Sequence, residues 1–208
     1  MNNTSTVITM TLDGGTPCLD FVNTGYNHEK GIIAERLHTY EDFLEFSRRL
    51  ELLDDGFLDE LRLASLQSTA AAERALILAR QCRQQLYELF KALAQGCLDQ
   101  LDERILIELN ERFAEALQYD KLHINGGKLL VSFMPESGDL NAPLWRLLLS
   151  AHHLIREEDI HLIKQCQRCA WLFLDRTKNH RKKWCSMESC GNSEKTKRYY
   201  QQRKRNLS

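Results

Sequence analysis

The chain has little proline and no long apolar run, and each absence narrows the field. No window approaches the roughly 20 apolar residues a membrane span requires. The N-terminus MNNTSTVITM has neither the basic start nor the apolar core of a secretion signal. A cytoplasmic protein without a membrane partner is therefore expected. Only Pro17, Pro135 and Pro143 interrupt the 208 residues, so helices can run long between them. A Gly-rich phosphate loop, a G-x-S-x-G elbow and an H-E-x-x-H helix are missing, which argues against an enzyme. There is no internal repeat, and 43% hydrophobic with 27% charged residues fits a globular chain better than a disordered or fibrous one.

The net charge of -1 conceals a division. Residues 1–163 hold 15 Lys and Arg against 26 Asp and Glu, a balance of -11, while residues 164–208 hold 13 against 3, a balance of +10. Such asymmetry points to a basic surface that meets a polyanion, carried on an acidic body; a solvated basic tail is the alternative. The seven cysteines divide as unevenly. Cys18, Cys82 and Cys97 are scattered, whereas Cys166, Cys169, Cys185 and Cys190 fall within 25 residues. An odd total and a clustered quartet favour a metal site in a reducing compartment over a disulfide framework.

Periodicity supplies the elements. Val7 to Leu12 alternates apolar residues with threonine, the pattern of a strand ending at Asp13-Gly14-Gly15. Thr39 and Asp42 have capping-box spacing ahead of Phe43, Leu44, Phe46, Leu50 and Leu53, which predicts a helix of about four turns. Asp54 or Asp55 caps the next, bearing Phe57, Leu58, Leu61 and Leu63. A long helix follows from near Ala70 to Gln95 with Gly96 as its stop. Asp99 or Asp102 opens another, with Ile105, Leu106, Leu109, Phe113 and Leu117. Lys121 to Ile124, the turn Asn125-Gly126-Gly127 and Lys128 to Phe133 read as a β-hairpin. Asp139 or Asn141 starts a last long helix ending at Arg156 to Asp159; its adjacent His152 and His153 point to different faces and make a poor metal pair. The expected fold is α+β: a predominantly α-helical domain over residues 1–160 with a small β-hairpin or sheet, then a small treble-clef-like or ribbon-like zinc finger over residues 161–208.

The quartet reads C-x2-C, fifteen residues, then C-x4-C. A two-residue gap lets both thiolates of a knuckle face one ion, and a second pair completes a tetrahedron. Sulfur donors with no open position favour one structural zinc ion, although spacing alone also admits iron. The segment from residue 164 onward has few large apolar side chains, so metal must supply much of its folding energy. Two basic elements flank the quartet. Between its halves lie Arg176, Lys178, Arg181, Lys182 and Lys183, placed to grip phosphates. After it, Asn192 or Ser193 opens a helix carrying Lys195, Lys197, Arg198, Arg203, Lys204 and Arg205, with Gln201 and Gln202 as amide donors. A cationic helix anchored beside a metal has the width and the donors for a major groove.

Cys166-x2-Cys169, Leu172-Phe173-Leu174-Asp175-Arg176, Lys183-Trp184-Cys185-Ser186-Met187 and Cys190-Gly191-Asn192 together resemble the CGNR-type zinc finger. LDFVNT at residues 19–24 resembles the hallmark near the start of the ABATE domain, which commonly precedes that finger in bacterial proteins. The resemblance spans nearly the whole chain. It implies a stress-induced type of bacterial transcription regulator that binds DNA through its finger, with Cys166, Cys169, Cys185 and Cys190 on zinc. The sequence departs from the pattern at Ser193, where the name-giving motif has arginine; Lys195 or Arg181 would have to replace any contact that arginine makes.

Double-stranded DNA is thus the expected partner. The acidic body is left to sense a small-molecule effector, to form a homodimer or to contact another protein. Asp20, Asn23 and Asn27 are candidates for an effector pocket, although polar residues that end a strand and cap a helix account for them as well. Two other functions stay open. One is RNA binding, with Trp171, Trp184 or the tyrosines stacking on bases. The other is an enzymatic or small-molecule-binding body that uses the finger for docking.

Overall fold

A computed structural model describes residues 5–25, 34–157 and 160–205, with the backbone alone for residues 157, 198–200, 202, 204 and 205. Five helices build most of the body. α1, Pro17–Asn23, has proline in its first turn, where a missing N–H costs nothing, and every residue from Cys18 to Asn23 is buried. α2, Tyr40–Arg49, starts on the Thr39 and Asp42 capping box. It stops a turn earlier than the apolar pattern implies, because Glu51 takes a positive φ of 52° and turns the chain before Leu53. α3, Asp55–Gln67, is capped by the Asp54 carboxylate, which accepts from the Phe57 amide; Leu58 and Leu61 are buried, whereas Leu63 points to solvent. α4, Thr69–Gln95, ends at Gly96 in the left-handed region, φ 66°. α5, Glu103–Leu117, is capped by Asp102 and buries Leu109 and Phe113, with Leu106 and Leu117 on its open side.

Two details differ from expectation. Residues 7–12 form no strand: the Thr6 carbonyl accepts from the amides of Thr9 and Met10 at 3.2 and 2.9 Å, a helical turn that buries Val7 and Met10 three positions apart. In the hairpin, β1 (Asp120–Asn125) and β2 (Lys128–Phe133) join through Gly126 and Gly127, with φ of 56° and 76°. Both central positions of this two-residue turn need positive φ, so Asn125 belongs to the strand. α6, Ala142–Glu157, then crosses the body. Ahead of it, the Asp139 carboxylate accepts from the Asn141 amide and the Trp145 indole, 2.9 Å each. No helix among the described residues is long and apolar enough to cross a membrane.

The C-terminal part adds a two-stranded antiparallel sheet, β3 (Ile163–Gln165) against β4 (Leu172–Leu174), and the helix α7, Asn192–Arg205. One apolar core runs from the body into this part and includes Phe21, Phe90, Ile163, Leu172, Phe173 and the four clustered cysteines. The outer edge of β4 would expose bare backbone groups, and α1 with the loop before it covers them. Asn23 Nδ2 donates to the Leu172 carbonyl and Asn23 Oδ1 accepts from the Leu172 amide, both at 2.9 Å. Two residues on, the Leu174 amide donates to the Gly14 carbonyl at 3.0 Å. Gly14 is itself held by Asp20, whose carboxylate accepts the Gly14 amide at 2.8 Å. A Cβ on Gly14 would lie 2.7 Å from the Asp20 backbone nitrogen, so only glycine permits this approach. Asp20 and Asn23 share one face of α1, three residues apart, and that face seals the sheet edge.

Burial pushes the Asp20 carboxyl up to about 7, against the opposing hydrogen bond from Gly14. A raised acid favours the fold in its neutral form, so its contribution is complete below about pH 4 and is lost as pH rises through 7. Asp20→Asn keeps an acceptor for Gly14 without the charge. In urea denaturation, the variant's stability relative to the native chain should rise by up to about 2.5 kcal/mol between pH 5 and pH 8, the ceiling set by the shift; a difference independent of pH would refute the assignment.

Candidate metal centre and nucleic-acid interface

The first half of the centre is a knuckle grown from the β3–β4 turn. The Cys166 amide donates to the Trp171 carbonyl at 2.8 Å, and the Cys166 carbonyl accepts from the Ala170 amide at 3.1 Å. This folds Cys166 and Cys169 toward one point. Ala170 takes a left-handed φ of 60° to close the turn, a conformation that glycine adopts freely and alanine does not. The second half is the wide turn Met187–Gly191, which runs directly into α7. The Gly191 amide donates to Ser186 at 3.0 Å. A Cβ on Gly191 would sit 2.7 Å from Met187 Sδ and 3.2 Å from Trp184 Cδ1, so glycine makes room for that packing. Gln167 bonds the Lys183 carbonyl and Arg168 bonds the Ser189 carbonyl, which ties the two halves together.

The four Sγ atoms of Cys166, Cys169, Cys185 and Cys190 all lie within 4.8 Å of one another. Cys169 to Cys185 is 3.6 Å and Cys185 to Cys190 is 3.7 Å. A tetrahedron with zinc–sulfur bonds of 2.3 Å has edges of about 3.8 Å. The donor set and its spacing therefore fit one zinc ion with no position left for a substrate. Crowding splits the thiols: hydrogen bonds from Cys169, Cys185 and Cys190 push Cys166 far down, and those with Cys166, Cys169 and Cys190 push Cys185 far up. Four sulfurs this close become thiolates together only with a cation among them. Zinc, when bound, supplies folding energy, roughly 10–16 kcal/mol in small fingers.

Asp175 shapes the basic loop between the halves. It is fully buried and accepts from the Thr177 hydroxyl at 2.5 Å, the Thr177 amide at 3.2 Å and the Lys182 amide at 2.8 Å. Lys164 Nζ stands 3.3 Å away. Burial alone would raise its pKa; these donors outweigh it and hold the carboxylate at about 2. Around this anchor Arg176, Lys178, Arg181 and Lys183 are exposed and Lys182 is half-buried, its ammonium over the Phe173 ring at 5.2 Å. Arg181, Lys182 and Lys183 join Lys164, Gln95, Gln165 and Gln167 along an open cleft of about 800 Å³ beside the end of α4. On α7, Lys195, Lys197 and Arg203 are exposed; the side chains of Arg198, Lys204 and Arg205 lie outside the description. Ser193 is half-buried beside the metal centre.

Of the three residues read as an effector pocket, Asp20 and Asn23 are buried and engage backbone groups of their own chain, and Asn27 lies outside the described residues. Trp171 is buried with the Arg36 guanidinium 5.5 Å from its ring, and Trp184 packs beside Gly191. His152 meets the Phe113 ring at 5.5 Å, while His153 faces solvent. Two residues escaped the sequence reading. Arg36 is buried and donates to the carbonyls of Asn23, Thr24 and Ala34, closing the end of α1 against the finger; a single arginine in a loop carries no signal of this. Lys164 was legible only as one more cation beside Cys166.

Residues 15–158 match the ABATE family, described as "Putative stress-induced transcription regulator", and residues 163–203 match the CGNR zinc finger. The chain belongs to the ABATE family, with a CGNR zinc finger after the family's domain. Both are of regulatory or zinc-finger type. No curated protein matches the chain.

Two substitutions test the geometry. Asn23→Leu should strand the Leu172 amide and carbonyl and cost about 2–5 kcal/mol, seen as faster hydrogen exchange at residues 172–174 and quicker zinc loss to a chelator. Ala170→Gly should relieve the left-handed turn, slow that loss and add about 0.5–1 kcal/mol in thermal unfolding.

Proposed function

We propose that the protein is a bacterial, cytoplasmic transcription regulator, rather than an enzyme, that binds double-stranded DNA through its finger. On this reading residues 161–208 form the DNA-facing unit and residues 1–160 the acidic unit for sensing or partner contact. The observation that supports it most is the pairing of a four-sulfur centre with cations on both sides of it. Four thiolates and a divalent ion sum to -2, which leaves about +8 on residues 164–208. The buried Asp175 anchor holds the loop cations against the knuckle, so Arg176, Lys178, Arg181, Lys182 and Lys183 have fixed roots from which to contact phosphates. α7 begins at Asn192, two residues after Cys190, so its bearing follows the metal centre; Lys195 and Lys197, with Arg198, Arg203, Lys204 and Arg205, are assigned to the groove and its flanks. Lys164 joins them through the cleft it shares with Arg181 and Lys183.

RNA is weakly supported in comparison, since the buried Trp171 offers no open stacking face. Binding of labelled duplex DNA by the zinc-loaded chain, titrated with salt, tests the proposal. Affinity should fall steeply between 50 and 200 mM salt as phosphate contacts release counterions. Lys195→Ala should reduce the salt slope by about 1. Absence of binding at 50 mM, a flat salt response, or preference for single strands or RNA over duplex would overturn it.

A further inference from the structure

A cavity of about 390 Å³ opens at the seam between body and finger. The body lends it the exposed Thr9 and Thr11, the finger lends it Ser189, and three of the four clustered cysteines line it: Cys169, Cys185 and Cys190. Cys166 takes no part in the lining. Cys169 and Cys190 keep 8% exposure each, against 3% for Cys185, the most covered of the three. Cys185 Sγ lies 3.6 Å from Cys169 Sγ and 3.7 Å from Cys190 Sγ, within reach of both. Oxidation selects cysteines that combine thiolate character with access. Zinc, when bound, keeps these sulfurs as thiolates, and the cavity gives the access. The other thiols lack one or the other: Cys18 and Cys82 are buried, which pushes both up to about 12, and Cys97 stands alone.

We propose that this cavity admits hydrogen peroxide or a small organic hydroperoxide to the metal centre, where Cys185 forms a disulfide with Cys169 or Cys190 and the metal is released. The Cys169 or Cys190 thiolate attacks one peroxide oxygen; the S–O bond forms, the O–O bond breaks and hydroxide leaves. The sulfur, now a sulfenic acid, has lost two electrons to the peroxide. The Cys185 thiolate then attacks that sulfur, the S–S bond forms and a second hydroxide leaves. Two protons from solvent turn the two hydroxides into water. Arg36 and Arg168 also line the cavity, against the single carboxylate of Glu188, so the local charge favours hydroxide as the leaving group. Two thiolates remain, too few for a closed tetrahedral site, and α7 loses the anchor that sets its bearing. Loss of duplex binding follows where α7 meets DNA as proposed above; that consequence rests on the DNA reading, whereas the disulfide and the metal release do not.

Peroxide treatment of the zinc-loaded full chain without DNA, followed with a chromophoric zinc chelator, tests the chemistry apart from nucleic-acid binding. One zinc and two thiols should be lost per chain, and a dithiol reductant with added zinc should restore both. After alkylation and proteolysis, the disulfide should join Cys185 to Cys169 or Cys190, with Cys166 alkylated. Thr9→Trp, at an exposed lining position, should narrow the way in and slow release roughly threefold or more; Thr11→Trp repeats the test from a second position. Ile8→Trp, exposed beside them but outside the lining, should release zinc like the native chain. Equal zinc content before oxidation separates a closed cavity from a damaged fold. Zinc retained in excess peroxide, thiol loss without a Cys185 disulfide, a disulfide through Cys166, or release from both threonine variants as fast as from Ile8→Trp would overturn the proposal.

Discussion

Four sulfurs drawn to within 4.8 Å of one another set the terms for everything C-terminal to the body. The last 45 residues carry ten more positive charges than negative ones and only a few large apolar side chains, a composition that repels itself sooner than it collapses. A divalent ion with four thiolates reverses this locally: it binds the knuckle to the wide turn and fixes where α7 begins. The basic loop, which closes on Asp175, is thereby suspended between two anchored points. Positive charge is held in place by a centre that is itself negative.

The centre does not stand alone, since the body and the finger share a core and a sheet edge. Helix α1 is short and wholly inside, and its polar residues do what a neighbouring strand would do for β4. Asn23 reproduces a backbone pairing with a side-chain amide, and Asp20 secures the glycine that provides the next acceptor. Arg36 finishes the arrangement by capping the carbonyls at the end of α1 and lying over Trp171. An LDFVNT stretch ahead of a CGNR finger thus has a structural reason in this chain: the first is a seat for the second.

Local chemistry was legible in the sequence and distant partnership was not. The Thr39 box, the helix caps, the Gly96 stop and the hairpin all depend on residues within a few positions of one another; the structure takes Asp54 and Asp102 from the pairs the pattern left open and tightens the hairpin turn to Gly126 and Gly127. The cysteine quartet was legible for the same reason, because knuckle spacing is a local rule. Residues 7–12 misled because six positions satisfy both alternation and a three-residue interval, and packing under α2 and the finger selects the latter. Asn23 announced itself only as a polar residue after an apolar run. Its partner lies 149 positions away, and no periodicity encodes that distance. Arg36 carried no mark at all.

The seal over β4 bears on how freely such fingers move between proteins. An edge covered by one asparagine and one glycine carbonyl is custom work: a body lacking these two groups at this separation would leave a short strand with bare donors and acceptors, the kind of margin on which foreign chains assemble. In this chain, exchanging the finger without its seat would leave that margin bare, so here the two segments depend on one another.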